Sequence, residues 1–406
     1  MSSNRDLLLA QLHNMPLFAG RYRELQCVNY DPANKEKRGC FSLVFRATDV
    51  VTGRVVALKF FDIDFSVLQN PYRIQAFERE PEILKVLLGK HRCLQLAAGL
   101  DTFQLEIRSA DGTISARLPC KYFAVEWIDE EIDKFFHRQD EFGPEEKLRL
   151  FNEIVLGVQA LHRHDVFHRD LKPDNLRAYI DALKRIVIAI DLGTAARVIS
   201  IPLQPEYGHP VGAGAYAAPE NFCGMAGLRE VGKATDVFAL GCLLFELFHT
   251  ELFAIEVRKN RSYDLVLAAM AIDLATAPRD KLVAAWRRSA PILERSLRPV
   301  KLDGIGSSAP PAIRGILNQI IAVTTRFDFV SRTENLDAVR EQVWAAIRVL
   351  TNDKVARRRA EITRLHRQRR EEKIRRQQRR LIEFLGQAQL RQCSTPSPLP
   401  PTRSLK

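Results

Sequence analysis

The sequence predicts an α+β fold of two lobes, the first β-rich and the second helical, followed by a basic helical extension at the C-terminal end. Three observations lead there. Strand-like segments fill the first third of the 406 residues, helical periodicity takes over beyond about residue 140, and the excess positive charge lies after residue 353.

The elements follow in order. Residues 1–34 read as an N-terminal extension, whose one short apolar run, Leu7 to Ala10, follows Arg5 and Asp6. That run is too short and too mixed for a signal peptide. The β-branched and aromatic stretch from Val44 to Phe61 is punctuated by Thr52-Gly53, which predicts two strands joined by a tight turn. Residues 74–88 have helical character. Ala110-Asp111-Gly112 between two strand-like runs is a hairpin signal, and Tyr122 to Trp127 continues the second run. Past residue 140 the period changes: Phe151, Ile154, Val155, Val158 and Leu161 line one face of a helix. Ile186 to Ile190 is an unbroken apolar run ending in Asp191, a short buried strand, and 232–250, 264–276, 310–323 and 334–350 read as helices. No internal repeat is evident. The expected limits are 35–128 for the first lobe, 129–350 for the second, 354–391 for a basic helix and 392–406 for a proline-rich, disordered tail.

Composition narrows the classes. Hydrophobic residues make up 46% and charged residues 27%, enough for a sizeable core and against wholesale disorder. Of the net charge of +12, residues 354–391 carry +10 and Arg403 and Lys406 the rest, so residues 1–353 are neutral. The arginine pairs and triplets of 354–391 fit either a solvated helix with no dedicated partner or one that meets a negatively charged partner: an acidic protein, nucleic acid or an anionic membrane surface. They also fit a nuclear import signal. Phe384 is the lone aromatic there, which argues against stacked single-strand recognition. The seven cysteines are scattered without a C-x-x-C pair, so neither a zinc ribbon nor a disulfide framework is expected. No uncharged apolar stretch reaches the roughly 18 residues that span a bilayer. The expected setting is intracellular, cytoplasmic or nuclear.

The chemistry sits in four motifs. His168-Arg169-Asp170-Leu171-Lys172-Pro173-Asp174-Asn175 is followed by Asp191-Leu192-Gly193 and Ala218-Pro219-Glu220, and preceded by Val55-Val56-Ala57-Leu58-Lys59 on an expected strand. Any one of these charges alone reads as an ordinary loop residue. Their order and structural context together do not arise by chance. Over about residues 35–350 the chain resembles the protein kinase superfamily, Ser/Thr kinases in particular.

The resemblance implies a bilobal kinase-like fold, ATP and Mg²⁺ as cofactors, and a protein substrate. Transfer from a triphosphate demands positioning and fixed positive charge, a base for the incoming hydroxyl and oxygen ligands for the metal. Carried over by position, Asp170 matches the base and Asn175 and Asp191 the metal-holding pair. Lys59 matches the lysine on the α/β-phosphates, and Lys172 the residue neutralising the transferred phosphate in Ser/Thr kinases. Gly39, Val44, Ala57, Glu80, Glu126 and Ile128 join Lys59 in the expected nucleotide site. Glu126-Trp127-Ile128 matches the hinge beside adenine, with Val125 as gate. Asp236 resembles the aspartate that brace the catalytic loop, and Arg332 the partner of Glu220.

The chain also departs from that pattern. Aligned on Phe41 and Val44, the phosphate loop keeps one of three glycines, Gly39, with Lys37 in the first position and Ser42 in the third. Spacing selects Glu80 as partner of Lys59, but Pro81 follows it, which leaves Glu78 and Glu82 open. Leu192 replaces the usual Phe, and Ala213 after Gly212 replaces a Thr. Arg169 implies dependence on a phosphate in the activation segment, at Ser200 or Tyr207, unless Glu206 substitutes for it. The rivals are a pseudokinase scaffold working through its tail, and a small-molecule kinase; the Ala-Pro-Glu segment and the helix carrying Asp236 argue against the latter.

Overall fold

The computed structural model describes residues 3–39, 42–64, 71–109, 111–197, 212, 214–226 and 228–393. Its first element is helix α1, Asn4–His13, started by a capping box in which Ser3 and Asp6 satisfy each other's backbone N–H groups. Strands β1 (Tyr22–Cys27), β2 (Ser42–Asp49), β3 (Val55–Phe61), β4 (Leu96–Arg108) and β5 (Ile114–Glu126) build an antiparallel sheet in the order β1-β2-β3-β5-β4. The expected turn at Thr52-Gly53 joins β2 to β3, and β4 and β5 flank the expected hairpin.

The sheet is covered on both faces because its strands alternate. Along β3, Leu58 and Phe60 enter a core with Leu8 and Leu12 of α1, Phe18, Phe45 and Tyr122. Lys59 and Phe61 point the other way, where Phe61 meets Phe77 of helix α2, Pro71–Val86. Residues before 35 take part in this sheet and core: β1 pairs with β2, and α1 completes the core behind it. An isolated 34-residue extension misses this because Leu7 to Ala10 alone carries too little periodicity.

The second lobe is organised by helix α3, Pro144–His162, which buries the predicted face of Phe151, Ile154, Val155, Val158 and Leu161. A small sheet of Lys184–Ala189, Leu176–Asp181 and Glu130–Glu131 lies at the cleft side of this lobe. Helix α4, Gly232–Leu247, is buried almost throughout. A helix not foreseen from sequence, Leu282–Glu294, adds Trp286 to a core with Tyr263, Met270 and Phe327.

The last helix runs unbroken from Leu336 to Cys393. The chain divides into two compact units, residues 1–347 and 348–406. No Gly or Pro interrupts the helix before Gly386, so nothing local would end it. Residues 394–406 lie outside the described residues.

Candidate active site

Lys59 sits at the centre of the cleft between the lobes. Its Nζ bonds both oxygens of Glu80, at 2.8 and 2.7 Å, and Oδ1 of Asp191 at 3.0 Å. Of the three open glutamates, Glu80 is thus the one that reaches the lysine. Glu78 pairs instead with Lys121, and Glu82 with Lys85. Helix α2 carries Pro81 in its interior. Proline there costs about 3 kcal/mol, and the burial of Phe77, Ile83 and Leu84 offsets it.

Glu80 also accepts the N–H of Leu192 at 3.2 Å, which locks α2 to the Asp191-Leu192-Gly193 turn. Leu192 is fully buried, so the Leu-for-Phe change is a packing change. Burial works against every charge in this triad, and the groups respond differently. It lifts the Glu80 carboxyl above its usual range. Lys59 is buried too, but Asp191 and Glu80 outweigh that and hold its ammonium charged well above its usual value. The Asp191 carboxyl, also opposed by burial, is held down by Lys59.

The loop of residues 168–175 hangs from Asp236. Its buried carboxylate accepts the N–H of His168 at 2.9 Å and of Arg169 at 2.7 Å, and meets His162 Nε2 at 2.8 Å. Arg169 and Asp191 both adopt left-handed backbone, φ 64° and 62°. Such strain in non-glycine residues persists only where the surroundings over-determine it. Asn175 Nδ2 donates to the backbone O of Asp170 at 2.8 Å and to its Oδ2 at 3.0 Å, fixing the carboxylate's direction. Lys172 lines the same cleft, 3.9 Å from Asp174. Gly212, at φ +90°, approaches so closely that a Cβ would stand 2.4 Å from Arg169 O and 3.2 Å from Asp170 Oδ1.

Arg169 is buried and held by main-chain carbonyls. Its guanidinium donates to Thr194 O at 2.9 and 2.6 Å and to Ala226 O at 2.7 Å, tying Thr194 to the stretch after Glu220. Burial lowers it to about 10. Ser200, Glu206, Tyr207 and Ala213 lie outside the described residues. Thr194 is buried and donates to His168 O. Beyond the segment, Glu220 and Arg332 form the expected pair at 2.6 and 3.0 Å, both side chains fully buried.

The roof of the cleft differs most from the sequence reading. Val28 extends the β1 ladder, its N–H bonding Val44 O at 2.9 Å, and Asn29 follows it into the cleft lining. Lys37 does not line the cleft, although Arg38 and Gly39 do. It pairs with Tyr30 in a short hairpin, Tyr30–Asp31 with Glu36–Lys37, inserted after Asn29. The loop resumes at Arg38, whose N–H bonds Asn29 O at 2.8 Å. Counting back from Phe41 without a gap therefore misplaces Lys37 and misses Val28 and Asn29. The signal was available in Asp31-Pro32-Ala33-Asn34, a turn-forming stretch inside the supposed loop approach.

Together the walls enclose about 1150 Å³. Gly39, Val44, Ala57, Lys59, Val125, Glu126 and Ile128 line it above, and Asp170, Lys172, Asn175 and Asp191 below. Leu94 is a further apolar lining residue. Glu126 spends its N–H on Gln95 O at 3.0 Å and its carboxylate on Gln95 N at 2.8 Å.

Comparison with known families decides the relationship: the protein kinase domain matches residues 37–291, more than half of the chain. The chain belongs to the protein kinase family. Its described fold agrees, a curled antiparallel sheet in the first lobe and a helical second lobe. It is 28% identical to cell division control protein 2 homolog C of Antirrhinum majus over 224 residues, 54% of this chain and 67% of the relative. To cell division control protein 2 homolog 3 of Trypanosoma brucei brucei it is 29% identical over 210 residues, 52% of this chain and 59% of the relative. The kinase match begins at residue 37, so α1, β1 and the inserted hairpin lie almost wholly before it. Among the described residues no helix is long and apolar enough to cross a membrane.

Proposed function

We propose that the chain is an ATP-dependent protein Ser/Thr kinase that transfers the γ-phosphate to a protein hydroxyl. The observation that carries this reading is the convergence of Asp170, Asn175, Asp191 and Lys59 on one cleft, with Asp170 oriented by Asn175 and Lys59 anchored to Glu80. Asp170 accepts the proton of the incoming hydroxyl. Lys59 holds the non-transferred phosphates, and Lys172, two residues past the base, neutralises the phosphate in transit and favours Ser/Thr acceptors. Val44, Ala57 and Val125 give adenine an apolar slot, with the Glu126 carbonyl and Ile128 N–H as backbone partners.

Mg²⁺ fits the donors present. Asn175 commits its amide nitrogen to Asp170, which leaves the amide oxygen as a ligand, and Asp191 adds a carboxylate held charged by Lys59. Two protein oxygens completed by phosphates and water suit this ion. When bound, it supplies charge neutralisation across the phosphates.

The glycine-poor roof favours a second reading, a pseudokinase that binds nucleotide weakly and works as a scaffold through residues 354–391. That stretch, in either reading, attaches the protein to a negatively charged partner, and the working compartment is the cytoplasm or nucleus. Labelled Mg-ATP with a generic protein substrate separates the two: transfer by the wild type that Asp170→Asn abolishes supports the kinase, and no transfer across several substrates and metals supports the scaffold.

A further inference from the structure

The inserted hairpin has its root in the cleft and its stem tied to the far side of the sheet. Asn29 closes the root. Its Nδ2 donates to Arg38 O at 2.9 Å and Ser42 O at 3.0 Å, while its Oδ1 accepts from Val44 N at 2.8 Å. Asn29, Arg38 and Ser42 all line the cleft.

The stem is held from behind by Asp62. This aspartate follows β3 on the face of Leu58 and Phe60, opposite to Lys59, and is fully buried. Lys37 Nζ meets its Oδ2 at 2.7 Å, with the lysine side chain only 8% exposed. Arg5 grips the same carboxylate with Nε at 2.9 Å and Nη2 at 2.8 Å. One residue on, Asp6 accepts from Tyr30 OH at 2.8 Å. Arg5 and Asp6 sit in the first turn of α1, which Leu8 and Leu12 seat in the sheet's core.

We propose that Lys37 and Asp62 are positioning residues for nucleotide binding: with α1 they form a latch that holds the inserted hairpin and, through its root at Asn29, sets the phosphate-facing loop over the cleft. The inference rests on the reading that ATP occupies this cleft. A phosphate loop rich in glycine can mould itself to its ligand at the cost of ordering on binding. From Val28 to Val44 this loop has one glycine, Gly39. Its shape is imposed in advance by a buried ionic anchor, so the ordering cost is met in folding. A charge pair buried this deeply adds little net stability compared with an apolar pair, which fits a role in fixing geometry.

The test uses the full chain and three readouts: the Kd of Mg-ATP measured by equilibrium binding, KM for ATP and kcat of transfer, and thermal unfolding. Lys37→Met should raise Kd and KM about tenfold, as expected for loss of a pre-ordered loop, with kcat within about twofold. Lys37→Arg, which restores the charge and a donor to Asp62, should recover most of the affinity. Trp286→Phe, in the other lobe's core, serves as a matched destabilising control and should leave Kd unchanged. A Kd for Lys37→Met equal to wild type overturns the latch and leaves the kinase reading standing. So does an equal loss of affinity in Trp286→Phe at equal destabilisation. A wild-type chain that binds no Mg-ATP overturns both.

Discussion

Two fully buried aspartates each brace one wall of the same cleft, by different means. On the floor, Asp236 accepts two consecutive backbone N–H groups of the catalytic loop, so its hold depends on where the main chain runs. In the roof, Asp62 holds two side chains, Lys37 and Arg5, from segments that are remote in sequence. The floor's brace lies wholly inside the protein kinase match. In the roof's brace only Asp62 lies well inside the family match, with Lys37 at its first residue and Arg5 before it. The contrast teaches that the two walls are held by different kinds of contact, main-chain on the floor and side-chain ion pairs in the roof.

The comparison can be broken at its strongest point first. Asp170→Asn on the floor should lower kcat by about 10²–10⁴, the usual contribution of a positioned general base, with the nucleotide Kd little changed. Gly212→Ala should follow closely, because its Cβ would stand 2.4 Å from Arg169 O and push against the Asp170 carboxylate; steady-state kinetics should show the loss in kcat. Glu220→Ala tests the deep ion pair below the floor. It strands a buried Arg332, and urea unfolding should show a loss of about 3–5 kcal/mol.

Acid titration gives a finer comparison. Burial opposes the charge of Asp236, but its bond to His162 and the charge nearby hold its carboxyl below the usual range. Its contribution is therefore fully present above the unfolded-state value of about 3.9 and is lost as pH falls through the lower folded value. Asp236→Asn should flatten that acid limb in pH-dependent unfolding. The smallest effect expected is from removing residues 354–406. Transfer to a generic substrate should stay nearly unchanged while salt-dependent association is lost, since the excess charge resides there.

How much was legible in the sequence follows the same division. The floor is read easily because its residues fall within short contiguous runs, 168–175 and 191–193, whose spacing carries the motif. Helix α3 and the strand before Asp191 were equally plain from period and apolar run. Glu80 was selected by spacing but clouded by Pro81, since local propensity cannot weigh the burial of Phe77 and Leu84 that offsets it. The roof was misread because an insertion shifts register, and only the pairing of Tyr30 with Lys37 reveals it. Arg5 and Asp62 are 57 residues apart, a separation no local pattern spans. Helix α1 was missed for the same reason: its burial of Leu8 and Leu12 depends on a sheet made later in the chain. The carbonyl partners of Arg169, Thr194 and Ala226, are backbone atoms, which carry no residue-type signal at all.

The central claim is that this cleft transfers phosphate, with Asp170 as its base. Incorporation of label from Mg-ATP into a generic protein substrate, wild type against Asp170→Asn, tests it most directly. The account predicts incorporation by the wild type and its loss in the variant at unchanged nucleotide affinity; equal incorporation by both, or none by either, would contradict it.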